Sequence, residues 1–119
     1  MPPRPPLKRG DIVLVPFPFT DFSSQKVRPA IVLTPDPKSS DVLIAFISSI
    51  VQPEAIQPTD FILKENHPDF PATGLKKTSL FKMNKLLTVE KSLIIRRLGK
   101  VSPLIQKELD TRLMIATGL

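Results

Sequence analysis

The sequence predicts a mostly β fold that ends in one amphipathic helix, and three patterns carry this prediction. Short runs rich in β-branched and aromatic residues recur along most of the chain, which is typical of strands. Fourteen prolines separate the runs, and proline interrupts helices and central strands alike. Only the C-terminal segment repeats its apolar residues every three to four positions, as an amphipathic helix does. About five to seven short strands of this kind form a small barrel or a sandwich.

The first half of the chain contains the longest predicted strands. The first covers residues 11–19, directly after Gly10, and its closing prolines place it at a sheet edge. A polar connection over residues 20–28 leads to a second, buried strand over residues 29–34. Residues 42–47 form an uninterrupted apolar run between serine-rich flanks. We therefore expect a central strand there, covered on both faces.

The second half offers shorter elements and the helix. Further strands are predicted at residues 61–63, 79–83, 86–89 and 92–95, with a proline-rich irregular loop at 66–74 between the first two. The helix is predicted to begin after Ser102, because a serine N-cap followed by Pro103 is a strong start signal, and Gly118 supplies its left-handed stop. Its apolar stripe should lie across the open side of the sheet and consist of Leu104, Ile105, Leu109, Leu113 and Ala116.

Length and composition indicate one domain. The chain has 119 residues, 41% of them hydrophobic and 24% charged, as in an ordinary single globular domain. We assign residues 8–119 to this domain and residues 1–7 to a flexible, proline-rich tail. The absence of cysteine excludes thiol nucleophiles and disulfides and suits a reducing compartment. No apolar run approaches the roughly 20 residues of a membrane span, so we expect a cytoplasmic protein.

The charge is concentrated in the second part of the sequence. The formal net charge is +6, made up of −1 over residues 1–73 and +7 over residues 74–119. A concentrated positive field attracts polyanions, and nucleic acid is the commonest of these in a cytosol. The alternative is a solvated basic face that keeps the protein soluble.

Few residues of the sequence are suited to catalysis. The chain contains one histidine, His67, which rules out RNA cleavage by two histidines of the same chain. The proline-rich surroundings of His67 favour a role as a loop residue. Metal-ligand spacings, carboxylate clusters and glycine-rich phosphate loops are missing from the sequence, so no metal or cofactor is expected. The remaining groups suited to phosphoryl chemistry are the guanidinium of Arg28 and the hydroxyls of Ser48, Ser49, Thr78 and Ser79.

At these positions the chain resembles the MazF/PemK toxin family of bacterial toxin–antitoxin modules. The segments that carry the resemblance are 8–21 (KRGDIVLVPFPFTD), 26–33 (KVRPAIVL), 45–49 (AFISS), 74–80 (GLKKTSL), 85–88 (KLLT) and 97–102 (RLGKVS). The resemblance implies an SH3-like barrel with a terminal helix and a homodimer. It also implies metal-independent, sequence-specific cleavage of single-stranded RNA, usually mRNA, that leaves a 2′,3′-cyclic phosphate and a 5′-hydroxyl. Inhibition by an antitoxin with an acidic, partly disordered tail follows from the same resemblance.

Carried over position by position, the resemblance makes Arg28 the catalytic arginine and Ser48 the catalytic hydroxyl, where the family usually has threonine. Gly10 and Asp11 match the turn that opens the first strand. Leu87 stands where many members have arginine. Substrate binding is assigned to Lys26, Ser49, Lys76, Lys77, Thr78 and Ser79. The lysines and arginines of residues 76–100 are predicted to mark a positive groove shared by RNA and the antitoxin tail.

Two other functions fit the same small barrel. One is a non-catalytic RNA-binding domain, which would need exposed aromatic rings for base stacking; only Phe22 and Phe70 are candidates. The other is a DNA gyrase poison of the same fold. In that relative, poisoning depends on a C-terminal tryptophan, and this chain contains no tryptophan.

Overall fold

The computed structural model describes residues 6–16, 26–35 and 38–119 and confirms a mostly β fold with one C-terminal helix. Its elements are β1 (Asp11–Pro16), β2 (Val27–Pro35), β3 (Asp41–Ser48), β4 (Asp60–Leu63), β5 (Ser79–Glu90), β6 (Arg96–Lys100) and α1 (Pro103–Thr117). The strands form one antiparallel sheet, curled into a half-barrel, in the order β4-β5-β3-β2-β1-β6. Residues 1–5 of the tail predicted at 1–7 and the segment 17–25 lie outside the described residues.

Strand β3 lies in the middle of this sheet, as predicted from its continuous apolar run. It pairs with β2 on one side and β5 on the other. Val42, Ile44, Ala45 and Ile47 are all at most 2% exposed. Because successive side chains of a strand point to opposite faces, burial of this whole series requires cover on both faces of the sheet.

The two faces of the sheet belong to two separate hydrophobic clusters. On one face, residues such as Ile31, Ile47 and Phe81 pack with Ile105 and Leu109 of helix α1. On the opposite face, the cluster contains Val13, Val15, Ala30, Val32, Val42, Ile44 and Ile94, with Phe46 and Leu87 packed against it. Side chains that alternate with the helix-facing set therefore point away from the helix.

The segment from Ser79 to Glu90 is one strand, where two were predicted. Phe46 pairs with Lys82 and the adjacent Ala45 pairs with Leu86, so residues 83–85 bulge out of the ladder with β3. The bulge is held by the Met83 N–H, which donates to the Thr59 carbonyl at 3.2 Å, and by the Asn84 amide, which donates to Gln57 Oε1 at 3.3 Å. The bulge breaks the apolar pattern but not the strand, which is why the pattern predicted two elements.

The prediction of a strand at residues 92–95 is wrong. Lys91–Leu93 forms a 3₁₀ turn closed by a hydrogen bond from the Ile94 N–H to the Lys91 carbonyl at 3.1 Å. Strand β6 follows at Arg96–Lys100 and pairs with β1, so β1 lies inside the sheet between β2 and β6 and not at the edge that its prolines predicted. Strand β6 lies at the edge of the sheet, where exposed charged side chains are favoured, and its sequence, RRLGK, therefore lacks the apolar pattern used for prediction.

The helix has the predicted ends but a narrower buried stripe. The Ser102 hydroxyl accepts the Ile105 N–H at 3.2 Å, and Gly118 adopts the left-handed conformation with φ of 75°. Ile105 and Leu109 are buried, whereas Leu104 is 62% exposed and does not belong to the stripe. The helix packs on the β4 and β5 end of the sheet, so only one row of its side chains reaches the core. No helix in the described part of the chain has the length and apolarity needed to cross a membrane.

Two ionic contacts attach the start of β1 to the rest of the fold. The Arg9 guanidinium donates to both carboxylate oxygens of Asp110 on the helix, at 3.1 and 2.5 Å. Asp11 is almost fully buried; its side chain accepts the Lys8 N–H at 2.8 Å and lies 3.3 Å from Arg97 of β6. Gly10, between these residues, has φ of 93° and lies against Gln106. The turn that opens β1 is therefore a structural junction.

Candidate functional site

A cleft of about 450 Å³ opens where β2, β3 and β5 run side by side. Its lining residues are Arg28, Phe46, Ile47, Ser48, Ile50, Lys82, Lys85, Leu86 and Leu87. Phe46 pairs with Ala30 and Lys82 in the sheet, so the three share one face. Phe46 and Leu87 pack against the cluster on the face opposite the helix. These residues place part of the lining on the face that the helix leaves free, whereas Ile47 and Leu86 of the lining pack with the helix-side cluster.

The structure brings together Arg28 and Ser48, the two residues predicted to be catalytic. Arg28 lies near the start of β2, two residues before Ala30, and Ser48 ends β3, two residues after Phe46. Because Ala30 and Phe46 are paired in antiparallel strands, Arg28 and Ser48 lie at corresponding positions near the same end of β2 and β3. Both side chains are half-buried and both line the cleft.

The hydroxyl of Ser48 is held in a local turn. Its oxygen accepts the Ile50 N–H at 3.1 Å. Donation from the hydroxyl to the Ile50 carbonyl would span 3.5 Å, which is too long for a strong hydrogen bond. The backbone N–H therefore orients the oxygen, while the hydroxyl proton is available to an oxygen atom of a ligand in the cleft.

Two lysines complete the cleft; both belong to the basic residues of 76–100 that were predicted to mark a positive groove, but neither was predicted individually as a site residue. Lys82 is half-buried within β5, and Lys85 is exposed in the bulge of the same strand. The signal that could have found Lys82 is its place inside the apolar run of residues 79–83, where a charged side chain must leave the core. No signal in the sequence shows that Lys85 reaches the same cleft, because its direction depends on the bulge.

The cleft is cationic and half apolar. In the described part of the chain, its charged lining residues are Arg28, Lys82 and Lys85, and none of the described lining residues is a carboxylate. Neither lysine forms a salt bridge with a carboxylate among the described residues. The apolar lining comes from Phe46, Ile47, Ile50, Leu86 and Leu87. Leu87 thus places a neutral side chain where many MazF/PemK members carry arginine. Such a surface suits a ligand that combines negative charge with flat apolar groups.

The other predicted substrate-binding residues lie outside the cleft lining. Lys26 and Ser49 are exposed just before β2 and just after β3. Lys76 and Lys77 are exposed in the turn before β5, which starts beside the end of β3 because Leu80 pairs with Ser48. Thr78 exchanges hydrogen bonds with Glu65, each at 3.1 Å. Ser79 is 3% exposed and donates its hydroxyl to the Lys77 carbonyl at 2.7 Å.

The basic side chains of residues 76–100 do not gather in one groove. Of these, Lys82 and Lys85 line the cleft. Arg96, Arg97 and Lys100 belong to β6, which is separated from β3 by β2 and β1, and Arg97 is paired with Asp11. The positive charge is thus divided between the cleft, the turn before β5 and the opposite edge of the sheet.

His67 is a turn residue, as its surroundings in the sequence indicated. Its Nδ1 accepts the Asp69 N–H at 3.0 Å. It lines a different groove, of about 480 Å³, between β4, the loop that follows it and the start of helix α1. Phe70, one of the two rings considered for base stacking, is 8% exposed and part of the core, and Phe22 lies outside the described residues.

Comparisons with solved structures find the same fold in bacterial toxins. An endoribonuclease in complex with its cognate antitoxin from Mycobacterial species matches with a TM-score of 0.70 and 18% identity, covering 93% of this chain and 94% of that one. The Mycobacterium tuberculosis toxin MazF-mt6 matches with a TM-score of 0.71 and 19% identity over 92% and 97% of the two chains. A MazE–MazF structure from Deinococcus radiodurans gives 0.73 and 16% over 96% and 97%.

Comparisons by sequence give one result. A search of curated proteins found no match. The family model for PemK-like, MazF-like toxins of type II toxin–antitoxin systems matches residues 8–117, which include every strand of the sheet and the whole of helix α1. The chain therefore belongs to the PemK/MazF-like family of toxins of type II toxin–antitoxin systems.

Proposed function

We propose that this chain is an endoribonuclease that cleaves single-stranded RNA in the cytoplasm and thereby inhibits translation. The observation that carries the proposal is the cleft in which Arg28 and Ser48 meet Lys82 and Lys85, with no carboxylate among the lining residues that the structure describes. A phosphodiester brings negative charge to such a site, and its bases bring flat apolar surface. Family membership supports the same activity.

The proposed reaction uses the 2′-hydroxyl of the RNA as its nucleophile. The 2′-oxygen attacks the adjacent phosphorus, the bond to the 5′-oxygen breaks, and the products are a 2′,3′-cyclic phosphate and a 5′-hydroxyl. Arg28 offers a planar set of donors to the phosphoryl oxygens, whose charge rises in the transition state. Ser48, with its oxygen held by the Ile50 N–H, donates a hydrogen bond to a phosphoryl oxygen. Neither step needs a metal ion.

The RNA strand is proposed to follow the cleft and leave it past the end of β3. Phe46, Ile50 and Leu87 offer apolar surface on which a base can pack. Beyond Ser48, the exposed Lys76 and Lys77 lie in the turn before β5 and can contact the next phosphates. Lys26 and Ser49, with Thr78 and Ser79, stay candidates for substrate contacts at this end of the cleft.

The proposed assembly is a homodimer inhibited by a cognate antitoxin with an acidic, partly disordered tail. The cationic cleft supports an acidic partner, because a peptide carboxylate and an RNA phosphate are both stabilised by Arg28, Lys82 and Lys85. Among the structural neighbours, one endoribonuclease is seen in complex with its cognate antitoxin. Occupation of the cleft by the tail would then exclude RNA.

The test is incubation of the purified protein with a long single-stranded RNA in EDTA, followed by analysis of the fragment ends. Fragments with a cyclic phosphate and a free 5′-hydroxyl are expected. Intact RNA with a shifted band on a native gel would instead identify a non-catalytic RNA-binding protein. Intact RNA together with trapped gyrase–DNA complexes would identify a gyrase poison. Either of these two results would overturn the proposal.

A further inference from the structure

The proposed cleavage leaves one chemical requirement without a residue. The 5′-oxygen is a poor leaving group unless it receives a proton in the transition state. An arginine guanidinium stays protonated in proteins, so Arg28 can hold charge but does not supply this proton. A serine hydroxyl is also a weak acid. Among the lining residues that the structure describes, none is a histidine or a carboxylate. Within this set, the lysines are the groups that can give up a proton.

The two lysines of the cleft differ in how they are held. Lys82 is half-buried in the regular part of β5, where Phe46 pairs with it from β3. Ser48 pairs with Leu80, two residues before Lys82 and on the same face. Such diagonal neighbours have Cβ atoms about 7–8 Å apart, within reach of a long side chain. Lys85 is exposed and lies in the bulge. Lys82 is therefore the lysine fixed beside the catalytic hydroxyl.

We propose that Lys82 donates the proton to the leaving 5′-oxygen, an inference that rests on the ribonuclease function proposed above. The 2′-hydroxyl gives its proton to water as its oxygen bonds to phosphorus. The bond between phosphorus and the 5′-oxygen breaks, and the Lys82 ammonium transfers one proton to that oxygen. The neutral amine then takes a proton back from water, so the cycle consumes no reactant other than RNA. Arg28 acts in this scheme as the phosphate clamp only.

The charged groups that face Lys82 come from three strands. Arg28 lines the same cleft from β2, and Lys85 lies three residues along β5. Asp60 of β4 is paired with Lys82 in the sheet, but its Oδ2 accepts the Gln57 N–H at 2.9 Å and forms no salt bridge with Lys82. Lys82 thus has the Asp60 carboxylate on the neighbouring strand and the cleft on its other side, and it forms no salt bridge with Asp60.

The experiment compares two substrates that differ in one atom. One is an RNA oligonucleotide with the ordinary 5′-oxygen at the cleavage site, and the other carries sulfur in that bridging position. A thiolate leaves without receiving a proton. The variant is Lys82→Arg, which keeps the positive charge but not the ability to donate a proton. We expect it to lose about 10²–10⁴-fold in rate on the oxygen substrate and to approach the parent rate on the sulfur substrate.

Lys85→Ala is the matched control, because it removes a charge from the same cleft without removing the proposed donor. It should lower the rates on the two substrates by the same factor. Lys82→Met, which keeps the length of the stem, is a second variant should the arginine not fit, and thermal unfolding checks that each variant is folded.

The outcomes separate this inference from the proposed function. Equal losses of Lys82→Arg on both substrates, or full activity of Lys82→Arg and Lys82→Met on the oxygen substrate, would overturn the assignment of Lys82 while the ribonuclease function stands. A parent protein that cleaves neither substrate would overturn the ribonuclease function and Lys82's role together.

Discussion

At the scale of single residues, the cleft combines groups that differ in what they can do chemically. Arg28 has a rigid fork of donors and a permanent charge. Ser48 has a small hydroxyl whose oxygen is oriented by the Ile50 N–H at 3.1 Å. Leu87, where many relatives have arginine, leaves the charge of the cleft to Arg28, Lys82 and Lys85. Substitutions that keep charge but change geometry therefore distinguish the roles of these side chains.

Replacing Arg28 with lysine keeps the charge and removes the planar fork. We expect Arg28→Lys to lose roughly 2–4 kcal/mol of transition-state stabilisation, while the affinity for uncleavable RNA changes little. Single-turnover cleavage and binding assays measure the two effects separately. Arg96→Lys is the control, because Arg96 is exposed on β6 at the far edge of the sheet. Cleavage by Arg28→Lys at the parent rate would show that Arg28 is not the phosphate clamp.

Ser48 permits a test in two directions. Ser48→Ala should lower the cleavage rate by about 10²-fold, the usual effect of removing one transition-state donor, with the fold intact because the released Ile50 N–H is exposed and can bind water. Ser48→Thr should keep or raise the rate, since it restores the family's usual hydroxyl with a stiffer side chain. Full activity of Ser48→Ala together with loss in Ser49→Ala would move the role to Ser49.

At the scale of elements, the bulge in β5 and the junction before β1 decide the shape of the site. The bulge at residues 83–85 lets Lys82 and Lys85 reach one cleft from a single strand. The junction joins Arg9 to Asp110 of helix α1 and Asp11 to Arg97 of β6. The bulge determines which cationic side chains line the cleft, whereas the junction attaches the helix and the edge strand to β1.

The contact between Arg9 and Asp110 predicts a pH-dependent stability. Burial raises the pKa of Asp110, but hydrogen bonds from Arg9 and Gln106 and the charge of Arg9 outweigh it, so the pKa lies below its usual 3.8. A carboxyl with a lowered pKa in the folded state stabilises the fold above its unfolded pKa and loses that effect as the pH falls through the folded pKa.

We therefore expect Asp110→Asn to lower the free energy of unfolding at neutral pH by up to about 1 kcal/mol, since the pair is largely exposed and screened by solvent. The difference from the parent should shrink as the pH falls below 3.8. Urea unfolding at neutral and acidic pH measures both values. Asp41→Asn, which changes an exposed carboxylate on β3, is the control. A difference that stays constant down to low pH would contradict this account.

At the scale of the whole molecule, the charge distribution predicts how RNA and antitoxin compete. Both ligands are proposed to occupy the cationic cleft, so an RNA with a 2′-deoxy cleavage site and the antitoxin tail should displace each other. RNA affinity should also fall steeply with salt, with a slope of about 0.7 per neutralised phosphate for a single strand. Fluorescence anisotropy of labelled RNA measures both effects.

Two results would contradict the shared cleft. One is simultaneous binding of RNA and antitoxin without mutual weakening, and the other is an RNA affinity that does not change between low and physiological salt. Lys100→Ala, on β6 at the opposite edge of the sheet, is a control for general charge effects. It should reduce the salt slope less than Lys85→Ala, because Lys85 lines the cleft.

Local patterns of the sequence predicted most of the strands and the helix, but not β6 or the continuity of β5. The run at residues 42–47 predicted a buried central strand, and Ser102, Pro103 and Gly118 predicted both ends of the helix; the structure confirms each. These features depend on neighbours within a few positions along the chain. The family resemblance added Arg28 and Ser48 as a catalytic pair, a role that stays a prediction although the two side chains share one cleft.

Only the tertiary structure decided which side chains meet. Phe70 is buried although it was a candidate for an exposed ring, and Leu104 is exposed although the helical spacing placed it in the apolar stripe. Burial depends on where the helix and the loop at residues 66–74 pack. Lys82 and Lys85 join Arg28 and Ser48 through the pairing of β5 with β3 and the bulge that interrupts it. The physical reason is that a strand's own pattern assigns its side chains to alternate faces, whereas the register with strands far away in the sequence decides what each side chain faces.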